Sequence, residues 1–501
     1  MILVTVSLLV ILVATFWLYN KHKFSYWAKR GVLSPPTTPF FGHLTEIMST
    51  KRGRWVYDNE IYRDYNKNGL IGTYIFYSPI LYVCDPEMIK NIFIKDFDHF
   101  TDRRVFKSPC ERDKRINDVL SNINGEKWKM LRSIMSPTFT SGKMKNMFHL
   151  VCDKADALVA FCLAEASKKS SVDMKFNSGR YTMDTIASCA FGLDCNSFVD
   201  EDPEFPKMVQ PFFDFGMRRV VIFILFAIVP KLCKILGMRS TPKEADFFIS
   251  VCEETIASRR KGMKRGDFLD LLLEAQADES LTDPSKKQVL DDDSIIAQSI
   301  LFIIAGYDTT ATTLAFAAYQ LAKNPEAQHR LRQELQDVVE QYGGITYQGI
   351  MESKYLEGVI LETLRIYPPA AILERQCTKE YIIPGTNVTV GKGQHIQVPI
   401  WPIHHDEKFW PEPEAFRPER FLPENKKNLT NYTHIPFGLG PRNCIAMRFA
   451  QMEAKVGIAK LVLAADLKLP PGKEEVVLST GAGLLKPEKE LFLLLEPLNE
   501  E

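Results

Sequence analysis

Three stretches of the chain hold residues whose type and spacing could do chemistry. In "FGLGPRNCIA" (Phe437–Ala446), Cys444 follows two glycines, a proline and an arginine. The run after it, "IAMRFAQMEAKVGIAKLVLA", has helical periodicity. Gly438 and Gly440 permit a tight turn and Pro441 stiffens it, which puts the cysteine just before or at a helix N-terminus. Backbone N–H groups and the helix dipole favour a thiolate there. A thiolate so held suits a nucleophile or a metal ligand. A nucleophile wants a partner base, and the nearby histidine is His434. A haem iron needs only the one thiolate, which pushes electron density toward O–O cleavage.

The second stretch, "AGYDTT" (Ala305–Thr310), lies inside a long apolar run. Gly306 costs roughly 1 kcal/mol in a helix interior, so it reads as a place where something approaches closely. Thr309 and Thr310 can turn hydroxyls back to carbonyls one turn earlier. Asp308 is an ionisable group where an unpaired charge is expensive. Acid, alcohol and missing side chain together read as a proton-delivery site beside a small ligand; the plainer alternative is a helix kink with a satisfied aspartate. The third stretch, "LETLR", puts Glu362 and Arg365 on neighbouring positions of one helix face, where they can pair. Arg420 in "FRPERF" could complete a buried network of three whose role is scaffolding.

These residues need elements to hold them. Apolar residues at three- and four-residue spacing predict helices in "WKMLRSIMSPTF", "PEAQHRLRQELQDVVEQYG" and "SKYLEGVILETLRIYP". Shorter strand-like pieces are "LIGTYIFYSPILYV", "YIIPGTNVTV" and "QHIQVPIW", with a tail hairpin near "LFLLLEP". The expected fold is mainly α with a smaller β-rich subdomain. The run from Ser294 to about Ala322 reads as a central helix buried in protein, with Asp291–Asp293 favouring its N-terminal dipole and Asn324-Pro325 ending it. A second transmembrane span is the competing reading, and Asp308 in its middle argues against it. Val220–Pro230 is too short to span a bilayer and has basic flanks. It fits either a buried helix or a segment dipping into the membrane interface.

Composition narrows the class. A zero net charge gives no sign of a nucleic-acid partner. The ten cysteines contain no C-x-x-C pair, so neither a zinc cluster nor a disulfide framework is expected. "MILVTVSLLVILVATFWLY" carries no charge, and Lys21, Lys23, Lys29 and Arg30 follow it. We read residues 1–20 as an uncleaved transmembrane anchor, with the remainder cytosolic by the positive-inside rule. The glycosylation-type triplets at Asn387, Asn428 and Asn431 are then chance matches. Residues 21–44 form a basic, proline-rich hinge, and residues 45–501 one catalytic domain.

The motifs, in their order and spacing, resemble those of a cytochrome P450, a haem-thiolate monooxygenase, over essentially the whole chain. "LRSIMSPTFTSGKMK", "AQSILFIIAGYDTT" and "PFGLGPRNCIAMRFAQME" are similar to the animal microsomal family 3 group, which mostly oxidises steroids and foreign lipophilic compounds. The resemblance implies haem b with Cys444 as axial thiolate, and Asp308 and Thr309 as the acid–alcohol pair delivering protons. Ala305 and Gly306 would leave room for oxygen, and Phe437 would border the haem. Trp128, Arg132, Arg103, Arg375 and Arg442 would hold its propionates, while Glu362, Arg365 and Arg420 brace the core. It also implies electrons from NADPH through a flavoprotein reductase, with cytochrome b5 as a further candidate donor, an endoplasmic reticulum membrane and a lipophilic substrate. The docking face would include Lys127, Lys129, Arg448 and Lys455. Pocket walls would include Phe106, Ile303, Ile304, Ala370, Ile372 and the Gly481–Leu484 turn. An isomerase acting on a peroxide, or a haem sensor without turnover, are the rival functions; the retained Asp308-Thr309 pair favours monooxygenation.

The chain departs from the family in three places. Ala446 replaces the usual glycine two residues after the cysteine. The hinge lacks the common P-P-G-P wording. The loop "VFKSPCERDKRINDVLSNINGEKW" is longer and more charged than its mammalian counterpart.

Overall fold

The computed structural model describes residues 2–49, 52–105, 107–200, 203–213, 217–282, 290–473, 475–481 and 483–498. Its first helix, Ile2–Lys23, exposes every side chain except Asn20. Its 22 residues span about 33 Å at ~1.5 Å each, enough for the hydrocarbon of a bilayer. Asn20 Oδ1 accepts from the Phe40 N–H (2.9 Å) and the Tyr77 hydroxyl (3.3 Å). Trp27 is wholly buried and donates from its indole to Thr73 O (3.0 Å). The stretch that follows this helix is thus packed onto the first strands.

Among the described residues, nine strands make three small sheets. The stretch "LIGTYIFYSPILYV", read as strand-like, folds as an antiparallel hairpin of β1 (Leu70–Ile75) and β2 (Ser78–Val83). β7 (His395–Pro399) joins β2 in parallel, and β4 (Ile372–Gln376) closes the order β1-β2-β7-β4. β5 (Tyr381–Ile382) pairs with β6 (Thr389–Val390). The tail strand β9 (Phe492–Pro497) makes no local hairpin: it lies between β3 (Val172–Asp173) and β8 (Ala465–Lys468). Most of the remaining core is helical.

The central helix runs Asp292–Lys323, starting where the Asp291 side chain accepts from the Ser294 N–H and ending at Asn324 before Pro325. All residues from Thr310 to Ala322 are buried, which decides against a second membrane span. The helix packs against Met174–Ile186, Lys354–Ile366 and Met447–Ala464. Gly306 is required at one crossing, because a Cβ there would lie 2.6 Å from Ile186 Cδ1. The segment read as buried or membrane-dipping forms two helices, Met217–Ile228 and Pro230–Ile235. None of the described side chains of Met217–Ile228 is buried, and Ile228, Leu232, Ile235 and Leu236 are exposed, so the buried reading fails.

Glu362 and Arg365, both fully buried, pair bidentately (2.8 and 2.9 Å). Arg365 also donates to His404 O (2.8 Å) and Pro413 O (2.6 Å). Glu362 Oε1 further accepts from Arg420 Nε (3.2 Å) and the Arg417 N–H (3.0 Å). The expected network of three is formed. His404, absent from the sequence reading, extends it: its Nδ1 faces Arg365 O (3.0 Å), and its Nε2 accepts from the Ile435 N–H (3.0 Å). Burial holds this histidine neutral, which fixes the proton on Nδ1.

Removing the Glu362 carboxylate would leave Arg365 buried without a counter-charge, at a cost of roughly 3–5 kcal/mol. Glu362→Ala is expected to unfold at much lower denaturant or to yield no folded protein. Arg417→Ala, which deletes only an exposed pair with Glu412, should change stability by less than about 1 kcal/mol. Denaturant titration followed by fluorescence checks both.

Candidate active site

One cavity of about 570 Å³ lies between the central helix and the segment Pro436–Ala454. The central helix contributes Leu301, Phe302, Ala305, Gly306, Thr309 and Thr310 to its wall. Opposite stand Phe437, Gly438 and the run Arg442–Ala446. Cys444 is accessible, yet protein surrounds it on nearly every side: its open surface faces this cavity.

The cysteine loop is set by backbone contacts. Cys444 N–H donates to Phe437 O (2.8 Å), Asn443 N–H to Gly440 O (3.0 Å) and Gly438 N–H to Ile435 O (3.1 Å). Gly440 has φ +69°, and a Cβ on it would meet the Phe93 carbonyl oxygen at 1.8 Å, so the close approach admits no side chain. The following helix begins at Met447, with Ala446 as its N-cap residue. Ala446 has φ −94°, which any residue adopts, so the backbone here does not demand the usual glycine; its methyl lies on the cavity wall. The expectation that the loop by itself favours a thiolate is corrected. Burial pushes the Cys444 thiol up, outweighing the Ala446 N–H and the charges of Arg132 and Arg103. His434 cannot act as its base, since its Nε2 is engaged with Leu361 O (3.0 Å) and burial pushes its pKa down to about 4.

The expected arginines gather beside this loop. Arg103 Nη2 donates to Arg442 O (2.7 Å), and Arg132 grips Asn443 through its carbonyl and side-chain oxygens (both 2.9 Å). Arg442 donates to Ile123 O (2.9 Å) and lies 4.0 Å from the Trp128 ring centre. Arg375 is the exception to the expected lining: fully buried, it stands behind the wall and donates to Leu439 O (3.2 Å). None of these four forms an ion pair among the described residues. The Nε atoms of Arg103, Arg375 and Arg442 are buried without a hydrogen-bond partner. Burial and mutual repulsion push Arg375 well below its ordinary pKa and Arg442 down to about 9. The wall carboxylate Glu374 is taken by Gln397 (2.6 Å) and Arg104 (3.4 Å). Such a cluster calls for an anionic ligand that offers more than one acceptor.

Thr309 donates to Ala305 O (2.6 Å), the back-bond expected from its position. Asp308 does not line the cavity. Its Oδ1 is 2.5 Å from Lys175 Nζ, and its Oδ2, 3.8 Å from Lys486 Nζ, has no hydrogen-bond partner. Among the expected wall residues, Ala370 and Ile372 line the cavity while Ile303 and Ile304 pack behind it. The Gly481–Leu484 turn does not reach it, and Phe106 and Ala482 lie outside the described residues. Lys455 is corrected as a surface residue: it is buried and pairs with Glu357 (3.4 Å). Sequence reasoning missed Glu453, a buried wall residue whose carboxyl is held in its acid form by burial. The signal for it was a lone acid in an apolar helix.

Comparison with known proteins agrees with a cavity joining an accessible cysteine to uncompensated arginines. The family model described as Cytochrome P450 matches residues 33–495. Cytochrome P450 9e2 of Blattella germanica is 36% identical over 90% of both chains. Cytochrome P450 6a8 of Drosophila melanogaster is 37% identical, again over 90% of both. Cytochrome P450 3A41 of Mus musculus is 36% identical over 98% of this chain and 96% of its own. The chain belongs to the cytochrome P450 family, and is by that membership an oxidoreductase of the monooxygenase type with a haem-thiolate cofactor. Insect and mammalian relatives are equally similar, so identity does not single out the family 3 group.

Gly440→Ala should lose at least the roughly 1–3 kcal/mol of a strained left-handed residue, with the Phe93 clash in addition. Gly391→Ala, with open space around it, is the neutral control. Thermal midpoints and haem content per protein test the pair.

Proposed function

We propose that the chain is a membrane-anchored monooxygenase that inserts one oxygen atom of O2 into lipophilic substrates such as steroids or foreign compounds. Electrons come from NADPH through a flavoprotein reductase, with cytochrome b5 as a second donor. The anchor sits in the endoplasmic reticulum membrane and the catalytic domain faces the cytosol. The observation that carries this reading is the arginine cluster without acid partners beside an accessible cysteine on the cavity wall.

The residues fit the cofactor by charge and chemistry. Cys444 would ligate the haem iron through its sulfur. Arg103, Arg132, Arg375 and Arg442 supply the positive charge that two propionates neutralise, and Trp128 is held among them by Arg442. Phe437 and Ala305 bound the cavity from opposite sides. Haem, when bound there, supplies dioxygen activation and oxygen insertion. The chain's own residues manage protons and access. Thr309 Oγ1 is the hydroxyl at the cavity wall, ordered by its bond to Ala305 O. Asp308 carries protons on the outer side of the helix, where Oδ2 is free of hydrogen bonds and Oδ1 is held by Lys175. The apolar wall keeps bulk water from the reacting centre.

Two surfaces complete the reading. Outside the cysteine loop, exposed Ile94, Met130 and Pro441 are flanked by Lys95, Lys127, Lys129 and Arg448. That apolar patch with a basic rim suits an acidic flavoprotein. The exposed side chains of Ile228, Leu232, Ile235 and Leu236 support a second apolar segment seated at the bilayer interface, from which a lipophilic substrate would enter.

The deciding measurement is the absorption spectrum of reduced, carbon monoxide-treated protein for wild type and Cys444→Ser. A strongly red-shifted Soret band that the substitution abolishes is expected; absence of haem from the wild type overturns the reading. With reductase added, lipophilic compounds should stimulate NADPH consumption, whereas a peroxide isomerase turns over without it and a sensor consumes none. Thr309→Ala should cut product formation by about 10²-fold, in line with loss of general acid–base help, while oxygen consumption continues.

A further inference from the structure

The long, charged segment from Lys107 to Gly125 forms part of the cavity roof. Its inner end gives Leu120 and Ser121 to the wall, and Ile116 packs on the apolar cluster that holds Val209 and Phe212. That inner end is bolted to the central helix by one amide: Leu120 N–H donates to Gln298 Oε1 (2.7 Å), and Gln298 Nε2 donates to Asp118 O (3.0 Å).

The outer end hangs on one carboxylate. Asp113 is wholly buried. Its Oδ2 accepts from the Ser240 N–H (2.7 Å) and the Ser240 hydroxyl (3.1 Å). Its Oδ1 accepts from Arg239 Nε (3.1 Å) and from the Thr241 hydroxyl. All these donors lie in the turn between the helices Pro230–Ile235 and Ala245–Arg260. Arg239 is itself fixed by a two-pronged pair with Asp246 (2.8 and 2.9 Å). Burial pushes the Asp113 carboxyl up, but its donors outweigh that and hold it below the usual range. The remaining ties across this seam are weak. Lys234–Glu111 is fully solvated, and Arg115 shares itself between exposed Glu253 and Asp293. Cys110 Sγ reaches Gly237 O only at 3.7 Å.

Apart from the Ser108 hydroxyl on its own loop, the donors that hold this buried charge come from one short turn, so without that turn the carboxylate needs water. We propose that Asp113 is the positioning residue that latches the cavity roof, and that its release from Arg239–Thr241 is the step that admits a bulky lipophilic substrate. A small ligand passes without that step. The inference rests on the cavity being the substrate site, and its outcome is separable from that reading, because the carbon monoxide spectrum reports the cavity's cofactor independently.

The test uses the full-length holoenzyme and the Soret shift on rapid mixing with imidazole or with 1-benzylimidazole. Asp113→Asn keeps the shape and removes the charge. It should speed 1-benzylimidazole association about tenfold, the scale set by losing a charged hydrogen bond, and leave imidazole within about twofold. Arg239→Gln should do the same, and the double variant no more than either alone. Unchanged rates, or equal acceleration of both ligands, overturn the latch. Should the variants lose haem, hydrogen exchange on the wild type decides: residues 108–118 and 237–246 should lose protection together. Free exchange of 108–118 beside a protected 237–246 overturns it equally.

Discussion

The buried pair of Glu362 and Arg365 is the interaction on which the placement of everything else depends. A lone carboxylate or guanidinium at zero exposure is not sustainable, so each is obliged to fill its hydrogen-bonding capacity from neighbouring segments. They do so with the backbone of Arg417, Pro413 and His404, and with Arg420. His404 passes the constraint on by accepting the Ile435 N–H, and Ile435 O in turn receives the Gly438 N–H at the start of the cysteine loop. The position of Cys444 is therefore tied by a chain of hydrogen bonds to an ion pair on a different helix. Each link is short and buried, which keeps slack from accumulating along it.

The same chain contains a second buried charge cluster built in the opposite way. Around the cavity, Arg103, Arg132, Arg375 and Arg442 have backbone carbonyls for partners and no carboxylate. Carbonyls satisfy donors but do not cancel charge, which is why burial and mutual repulsion depress Arg103, Arg375 and Arg442. A self-neutralised network makes a brace; an uncompensated one makes a binding site. The contrast explains why haem with two propionates completes this fold.

Much of this was legible in the sequence because it is written in short-range pattern. The helices 325–342 and 354–366 follow from apolar spacing, and the strand character of β1 and β2 was read from their stretch, though not their pairing. The glycines of the cysteine loop pointed to a tight turn, and Gly440 is excluded from carrying a side chain by Phe93, a contact between residues far apart in the chain. What was not legible depends on such distant contacts. β9 reads as half of a local hairpin, yet its partners are β3 and β8. β4 was missed because "ILERQ" mixes charge into a strand whose polar members face Gln397 and Leu439. Lys455 looks like a surface lysine until Glu357 of another helix is placed beside it. The thiolate preference of Cys444 failed for the same reason: a helix N-terminus is local, whereas burial is decided by the whole fold.

Floor and roof of the cavity are thus made to different standards. The floor is held by backbone hydrogen bonds and by a glycine pressed against a carbonyl, contacts that cannot be released singly. The roof is held by side chains, Gln298 at one end of its loop and Asp113 at the other. A reaction that must keep its cofactor geometry fixed while accepting substrates of varied shape needs this division. Rigidity below preserves the position of Thr309 relative to Cys444 through each cycle. A few strong but separable bonds above let the wall open without disturbing it. Apart from Ala446, the motifs of floor and brace fit the family's pattern, and the roof loop is the longer departure from it. Differences in substrate between relatives are then expected in segments such as Lys107–Gly125, whose length can change because the brace does not run through them.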